Sequence, residues 1–165
     1  MRYRQLANEP AAQRRRRRTA GQALAEFAMI IPLLLAAVFG ALDIGRVVWA
    51  ADVVANAARE GARWASVRGD SSVTTAADKD AIRAHTRQYL IAGGTSQVIT
   101  VCYSTVRFAQ NSMGCSGDVN EPGADNSRGA LVTVTVTTTV QVLTGSLVGL
   151  PTHTVSGSST VLVNN

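Results

Sequence analysis

Cysteine, histidine and aromatic residues are scarce in this chain of 165 residues. It has two cysteines and two histidines, and aromatic side chains make up 5% of the sequence. Cys102 and Cys115 lack the CxxC spacing of a zinc site, and no G-x-S-x-G nucleophile motif occurs. His85 and His153 fall on different predicted elements. The sequence therefore predicts no catalytic centre, no metal site and no cofactor, and we expect the protein not to be an enzyme.

The chain has no excess of basic residues outside its first 21 positions, although the formal net charge is +5. Arg2, Arg4 and the five arginines at 14–18 precede a long apolar segment, and Glu9 is the one acid near them. From Gln22 onward, the chain has nine basic and ten acidic residues. A nucleic-acid binder would need basic residues clustered on a folded face. The distribution predicts no nucleic-acid partner and indicates membrane topology instead.

Charge is absent from residues 27–42, which lie between Glu26 and Asp43. With residues 23–25 this segment provides about 20 positions, enough to cross a bilayer as a helix. The preceding arginines predict that its N-terminal end stays in the cytoplasm. We therefore predict three parts: a basic cytoplasmic leader at 1–21 without regular structure, a transmembrane half-helix at 22–43, and an extracytoplasmic domain at 44–165.

Hydrophobic periodicity extends the N-terminal helix well beyond the apolar segment, from about residue 23 to about residue 67. Its second half is predicted to be amphipathic. The polar stripe comprises Asp52, Asn56, Arg59 and Arg63. The apolar face comprises Val47, Ala51, Val54, Ala58, Ala62 and Ala65.

For the remainder of the chain, the sequence pattern predicts a second helix followed by a small antiparallel sheet. The second helix is expected over residues 75–92, ended by Gly93 and Gly94. Alternating apolar and polar residues predict the strands, at 97–104, 131–143 and 152–163. A long helix followed by antiparallel strands indicates an α+β fold.

The two cysteines fall in one loop-rich stretch of the part placed outside the cytoplasm. Disulfides persist in that compartment, so we predict a bridge between Cys102 and Cys115. The alternative is a pair of unrelated buried thiols.

The most informative motif is Gly21-Gln22-Ala23-Leu24-Ala25-Glu26-Phe27, at the mouth of the apolar helix. It resembles a class III (type IV prepilin) signal. The resemblance implies that a membrane-embedded prepilin peptidase cuts between Gly21 and Gln22 on the cytoplasmic side and leaves the apolar helix on the mature chain. It also implies that Glu26 and Phe27 serve assembly, with Glu26 meeting the new amine of a neighbouring subunit's Gln22. The alternative makes Glu26 a plain interfacial charge.

Two further segments restrict the resemblance to one family. Phe39-Gly-Ala-Leu-Asp-Ile-Gly-Arg46 and Asn56-Ala-Ala-Arg-Glu-Gly-Ala-Arg63, with the motif above, closely resemble the TadE-like family over residues 14–66. These are minor pilins or pseudopilins of the tight-adherence (Tad/Flp) pilus systems. The resemblance implies a pilin-like fold, location in the bacterial cytoplasmic membrane or in a pilus, and a role in building a pilus for adhesion or secretion. Its implied partners are the peptidase, other pilins and the Tad assembly platform.

Small residues recur every four positions at Ala37, Ala41 and Gly45, a spacing that lets helices approach closely in lipid; the alternative is that Ala and Gly are simply common here. Two other classes of protein compete with the pilin hypothesis. One is an uncut single-pass anchor with a small extracytoplasmic binding domain. The other is a secreted hydrolase or other enzyme with an ordinary signal peptide. Its best cut site, at residues 48–50, lies too far past the apolar stretch and beyond Asp43 and Arg46.

Overall fold

The structure is a computed structural model that describes residues 11–68, 76–90, 96–105, 118–119, 124, 126–145, 149 and 152–164. The chain divides into two compact units, residues 1–42 and residues 43–165. One long helix, a second short helix and three antiparallel strands make up an α+β fold, which confirms the predicted fold class.

The first helix, α1, spans Ala11–Ser66. The prediction that residues 1–21 lack regular structure is therefore wrong from Ala11 onward. The segment at 11–20 consists of Ala, Gln, Arg and Thr with no Pro or Gly, and Ala, Gln and Arg are good helix formers. Such a segment can continue a helix whose nucleation cost is already met by the apolar residues that follow.

The part of α1 in the first unit exposes its apolar side chains on every side. Phe27, Met29, Leu33 and Leu42 are all more than half exposed. A helix that is apolar all round needs an apolar surrounding. By length and composition the part of this helix from residue 21 to residue 66 could cross a membrane, with a mean hydropathy of 2.3 in its most apolar window. One such helix near the N-terminus is consistent with a single-pass membrane protein.

The second unit contains helix α2, which spans Ala76–Arg87 and ends earlier than predicted. After Arg87 the chain turns tightly: the Tyr89 amide donates to the Thr86 carbonyl and the Leu90 amide donates to the Arg87 carbonyl. These bonds to the third preceding residue replace the helical pattern because Leu90 is drawn into the core, where it is buried. The predicted stop at Gly93 and Gly94 lies outside the described residues.

The sheet has the order β1-β2-β3, with both pairs antiparallel. Its strands are β1 at Ser96–Ser104, β2 at Leu131–Gln141 and β3 at Thr152–Leu162. In β2 the valines face the core, whereas the hydroxyls of Thr133 and Thr135 meet those of Thr160 and Ser158 across the strand pair. The Val/Thr alternation therefore separates a buried face from a hydroxyl-rich one.

The core of the second unit lies between the C-terminal half of α1, α2 and the sheet. Alanines from α1, Ile82 from α2 and valines from β2 belong to one buried cluster. Asp52, Asn56, Arg59 and Arg63 are exposed, as the predicted polar stripe requires. Val54, Ala58, Ala62 and Ala65 are buried, so this predicted apolar face is confirmed at these positions.

Candidate functional site

The predicted processing motif lies on α1 with its described side chains exposed. Glu26 and Phe27 are exposed, and Phe27 has 62% of its surface accessible. The side-chain amide of Gln22 donates a hydrogen bond to Glu26 Oε1 at 3.4 Å, one turn further along the helix. This helical spacing places the acid beside the residue whose amine a cut after Gly21 would create. The cleavage and the pairing with a neighbouring subunit stay predictions.

The small residues Ala37, Ala41 and Gly45 are exposed on α1. A Cβ added at Gly40 or Gly45 would have no neighbouring atom within 4 Å among the described residues. This surface is therefore open to close approach, and its use in helix packing between subunits stays a prediction.

The segment Arg59-Glu60-Gly61 begins at an exposed residue and ends at a buried one. Arg59 is exposed, whereas Gly61 is buried against α2 and β2. A Cβ at Gly61 would overlap Thr86 Oγ1 and lie 3.3 Å from Val134 Cγ1. The glycine thus lets α1 pack directly on α2 and the sheet, while Arg59 lies on the exposed side of α1.

A second glycine allows β3 to cross α1 at close range. A Cβ at Gly157 would lie 2.8 Å from both the Cα and the nitrogen of Ala55. These are backbone atoms, which cannot rotate away as a side chain can. Glycine at this strand position therefore fits the close approach of another backbone.

Asp43 makes a set of hydrogen bonds that the sequence did not predict. Its Oδ1 accepts the Leu143 amide at 2.9 Å, and its Oδ2 accepts the Thr144 amide at 2.8 Å and the Thr144 hydroxyl at 2.6 Å. The carboxylate is 5% exposed and ties the start of the second unit to the connection after β2. The available signal was a lone acid directly after the apolar segment, but nothing in the sequence relates it to a partner 100 residues away.

Four side chains, two on α1 and α2 and two just after these helices, stack in one row. Arg68 Cζ lies 4.3 Å from the Trp64 ring centre, Trp64 stacks on His85 at 5.1 Å, and His85 meets Tyr89 edge-on at 5.3 Å. Cation–π and aromatic contacts of this kind hold helices together at their surface. We assign this row to the packing of α2 on α1.

A cavity of about 270 Å³ opens beside Trp64 and Arg68, with Tyr103 and Asn126 also in its wall. Burial, followed by the nearby charge of Asp78, raises the pKa of Tyr103 to about 12, so its hydroxyl stays protonated at neutral pH. Asn126 Oδ1 has no hydrogen-bond partner within the described part of the chain. In that same part no group of three or more His, Cys, Asp or Glu side chains could hold a metal.

Asp118 ties a loop to the outer edge of β1. Its Oδ1 accepts the Val101 amide at 3.0 Å and lies 2.7 Å from Arg83 Nη2, while Arg83 Nε donates to the Ile99 carbonyl at 3.3 Å. These contacts occupy backbone groups of an edge strand, which would otherwise be open to pairing with another chain.

This cluster predicts an acid-sensitive contact. Partial burial raises the pKa of Asp118, but the bonds from Val101 and Arg83 outweigh it and leave the pKa below its ordinary 3.8. Because the folded-state pKa is depressed, the stabilisation is present above about pH 4 and is lost as the pH falls through the folded-state value. We expect acid unfolding, followed by circular dichroism, to become less steep below pH 4 in Asp118→Asn. An unchanged profile would contradict this role.

Only one of the two cysteines of the predicted disulfide lies among the described residues. Cys102 is 3% exposed on β1, and it neighbours Val101, whose amide binds Asp118. Cys115 lies outside the described residues. The bridge stays a prediction.

Comparison with known protein families gives one match. Residues 21–63 match the model of the family described as TadE-like protein. This segment falls within the stretch in which the sequence resembles that family, so the resemblance is confirmed there. It contains the predicted processing motif, the apolar residues, Asp43 and Gly61, and it stops before α2 and the sheet. No curated protein and no solved structure matches the chain.

Proposed function

We propose that this chain is a minor pilin or pseudopilin of a tight-adherence pilus system. The observation that carries the proposal is the TadE-like match over residues 21–63, the segment that presents the processing motif and an exposed apolar helix on α1. On this proposal the protein works by assembly and has no catalytic activity. Its partners are the prepilin peptidase, other pilins and the assembly platform.

The chain's own residues would act in sequence. The arginine run keeps the leader in the cytoplasm while the apolar residues enter the membrane. The peptidase then removes residues 1–21, and the mature chain waits in the membrane with the second unit outside the cytoplasm. Glu26, one helical turn from Gln22, pairs with the N-terminal amine of a neighbouring subunit. This ion pair favours entry of the helix into a pilus or its base.

The test is cleavage after Gly21. We expect the intact mass of the protein to fall by the mass of residues 1–21 when a prepilin peptidase is co-expressed, and the new N-terminus to be Gln22. Gly21→Trp should block this change because a large side chain obstructs access of the protease to the backbone.

The matched control is Gly45→Trp, which places the same side chain at an exposed glycine of the same helix. It should be cut normally. Equal masses with and without the peptidase would remove the pilin proposal and favour the uncut single-pass anchor.

A further inference from the structure

Large apolar side chains are exposed at the start of the second unit. Ile44, Val48 and Trp49 on α1 are 68%, 56% and 51% exposed, and Leu143, just after β2, is 56% exposed. We call these four residues the apolar rim. Isolated apolar residues on a surface are ordinary, but these four flank Asp43 along the chain or through its hydrogen bonds.

The hydrogen bonds from the 143 and 144 backbone to Asp43, which we call the Asp43 clamp, fix the position of Leu143 in the rim. Both carboxylate oxygens of Asp43 accept from the Leu143 and Thr144 backbone, so Leu143 must lie at the same level of α1 as Asp43. Residues 142–151, which connect β2 to β3, contain no charged residue. The sequence next to Leu143 therefore adds no charge that would oppose entry into a less polar surrounding.

The apolar rim begins where the apolar segment of residues 27–42 ends. Asp43 directly follows residues 27–42, and Trp49 comes six residues later, about 9 Å along the helix at 1.5 Å per residue. The headgroup layer on each side of a bilayer is on the order of 5–8 Å deep, so Ile44 and Val48 fall within it and Trp49 falls at its outer edge. The three hydrogen bonds to Asp43 also reduce the cost of placing a carboxylate at this depth.

The rim residues of α1 project in different directions around the helix, which favours contact with lipid over contact with a single partner helix. At 3.6 residues per turn, Ile44 and Trp49 project about 140° apart around the helix axis. A partner helix would cover one of these directions, whereas a lipid interface covers both. Tryptophan is also enriched at this depth of membranes, and exposed Arg46 lies where headgroup phosphates would be.

We propose that the apolar rim is a second membrane contact: its three residues on α1 and Leu143, just after β2, rest together in the lipid headgroup layer. This rests on the proposed function, since it requires the apolar helix to be inserted. The clamp then holds the folded unit at a fixed height on the membrane before assembly.

The experiment uses the full chain at one copy per lipid nanodisc, with bromine on the acyl chains close to the headgroups as a quencher of tryptophan fluorescence. Trp49→Phe is the parent, in which Trp64 remains. To this parent we add Leu143→Trp as the test, Phe39→Trp as the control inside the apolar segment, and Val98→Trp as the control on β1. Val98 is matched to Leu143 in exposure, at 55%.

We expect the added tryptophan at Leu143 to be quenched at least about twofold more than the one at Val98, as interfacial residues are. Quenching at Phe39 with none beyond the Val98 level at Leu143 would overturn the rim contact and leave the anchor intact. Absence of quenching at Phe39 as well would overturn the anchor and the rim contact together. If Leu143→Trp is unquenched in single-copy discs but its emission shifts to the blue in multi-copy vesicles, another copy covers the rim and the lipid assignment is wrong.

Discussion

Replacing Gly61 with leucine should strongly destabilise the second unit. The site is buried, and even the first carbon of a side chain would overlap Thr86 Oγ1 and lie 3.3 Å from Val134 Cγ1. Thr86 cannot turn away freely, because its hydroxyl donates to the Ile82 carbonyl at 2.7 Å. Overpacking of this kind costs about 3 kcal/mol, which for a unit of this size lowers the melting temperature by on the order of 10 °C.

Thermal unfolding of the full chain in detergent, followed by circular dichroism, measures this effect. Gly45→Leu is the matched control: it makes the same change at an exposed glycine with no described atom within 4 Å of an added Cβ, and it should be neutral or slightly stabilising. Gly61→Ala should be destabilised less than Gly61→Leu, and adding Thr86→Ala should recover part of that loss by removing the overlapping oxygen. Equal melting temperatures for Gly61→Leu and Gly45→Leu would contradict the close packing at Gly61.

The sequence was sufficient for the elements whose periodicity matches their burial. Valines alternate with threonines in β2, and the strand buries Val132, Val134 and Val136 completely. The same holds for the amphipathic half of α1, where the small residues Ala58 and Ala62 face the core. In both cases one face is buried and the other is solvated, so the pattern along the chain carries the information.

The rest depended on contacts between distant parts of the chain or on competing local preferences. Asp43 and Thr144 are 101 residues apart, and no periodicity connects them. Gly61 could be recognised only as part of a motif, because its packing against Thr86 requires the position of α2. The early end of α2 follows from burial of Leu90, which overrides a sequence pattern that continues to residue 92.

Replacing Glu26 with glutamine should separate processing from assembly. The substitution keeps the size of the side chain and removes its charge, so we expect insertion and cleavage after Gly21 to remain normal. Recovery of the protein in sheared pili, or with other pilins, should fall sharply. An exposed ion pair in water contributes about 1 kcal/mol or less. At a membrane edge or in a filament core, an unpaired charge costs several kcal/mol, so pairing with the Gln22 amine of a neighbour would favour one docking position.

The assay compares a pilus shear fraction with the membrane fraction from the same cells, both probed for this protein. Asp52→Asn is the control, since it removes a carboxylate from the exposed stripe of α1 and should leave recovery unchanged. Normal recovery of Glu26→Gln in sheared pili would rule out a docking role for Glu26, even with cleavage at Gly21 established.

The identity of the N-terminus of the protein recovered from a pilus fraction bears most directly on the proposed function. In cells with a tight-adherence system, we expect protein in sheared pili or in a pilin complex to begin at Gln22, and to disappear from that fraction when the assembly platform is deleted. Protein found only in the membrane fraction, with residues 1–21 still attached, would contradict the assignment as a minor pilin or pseudopilin.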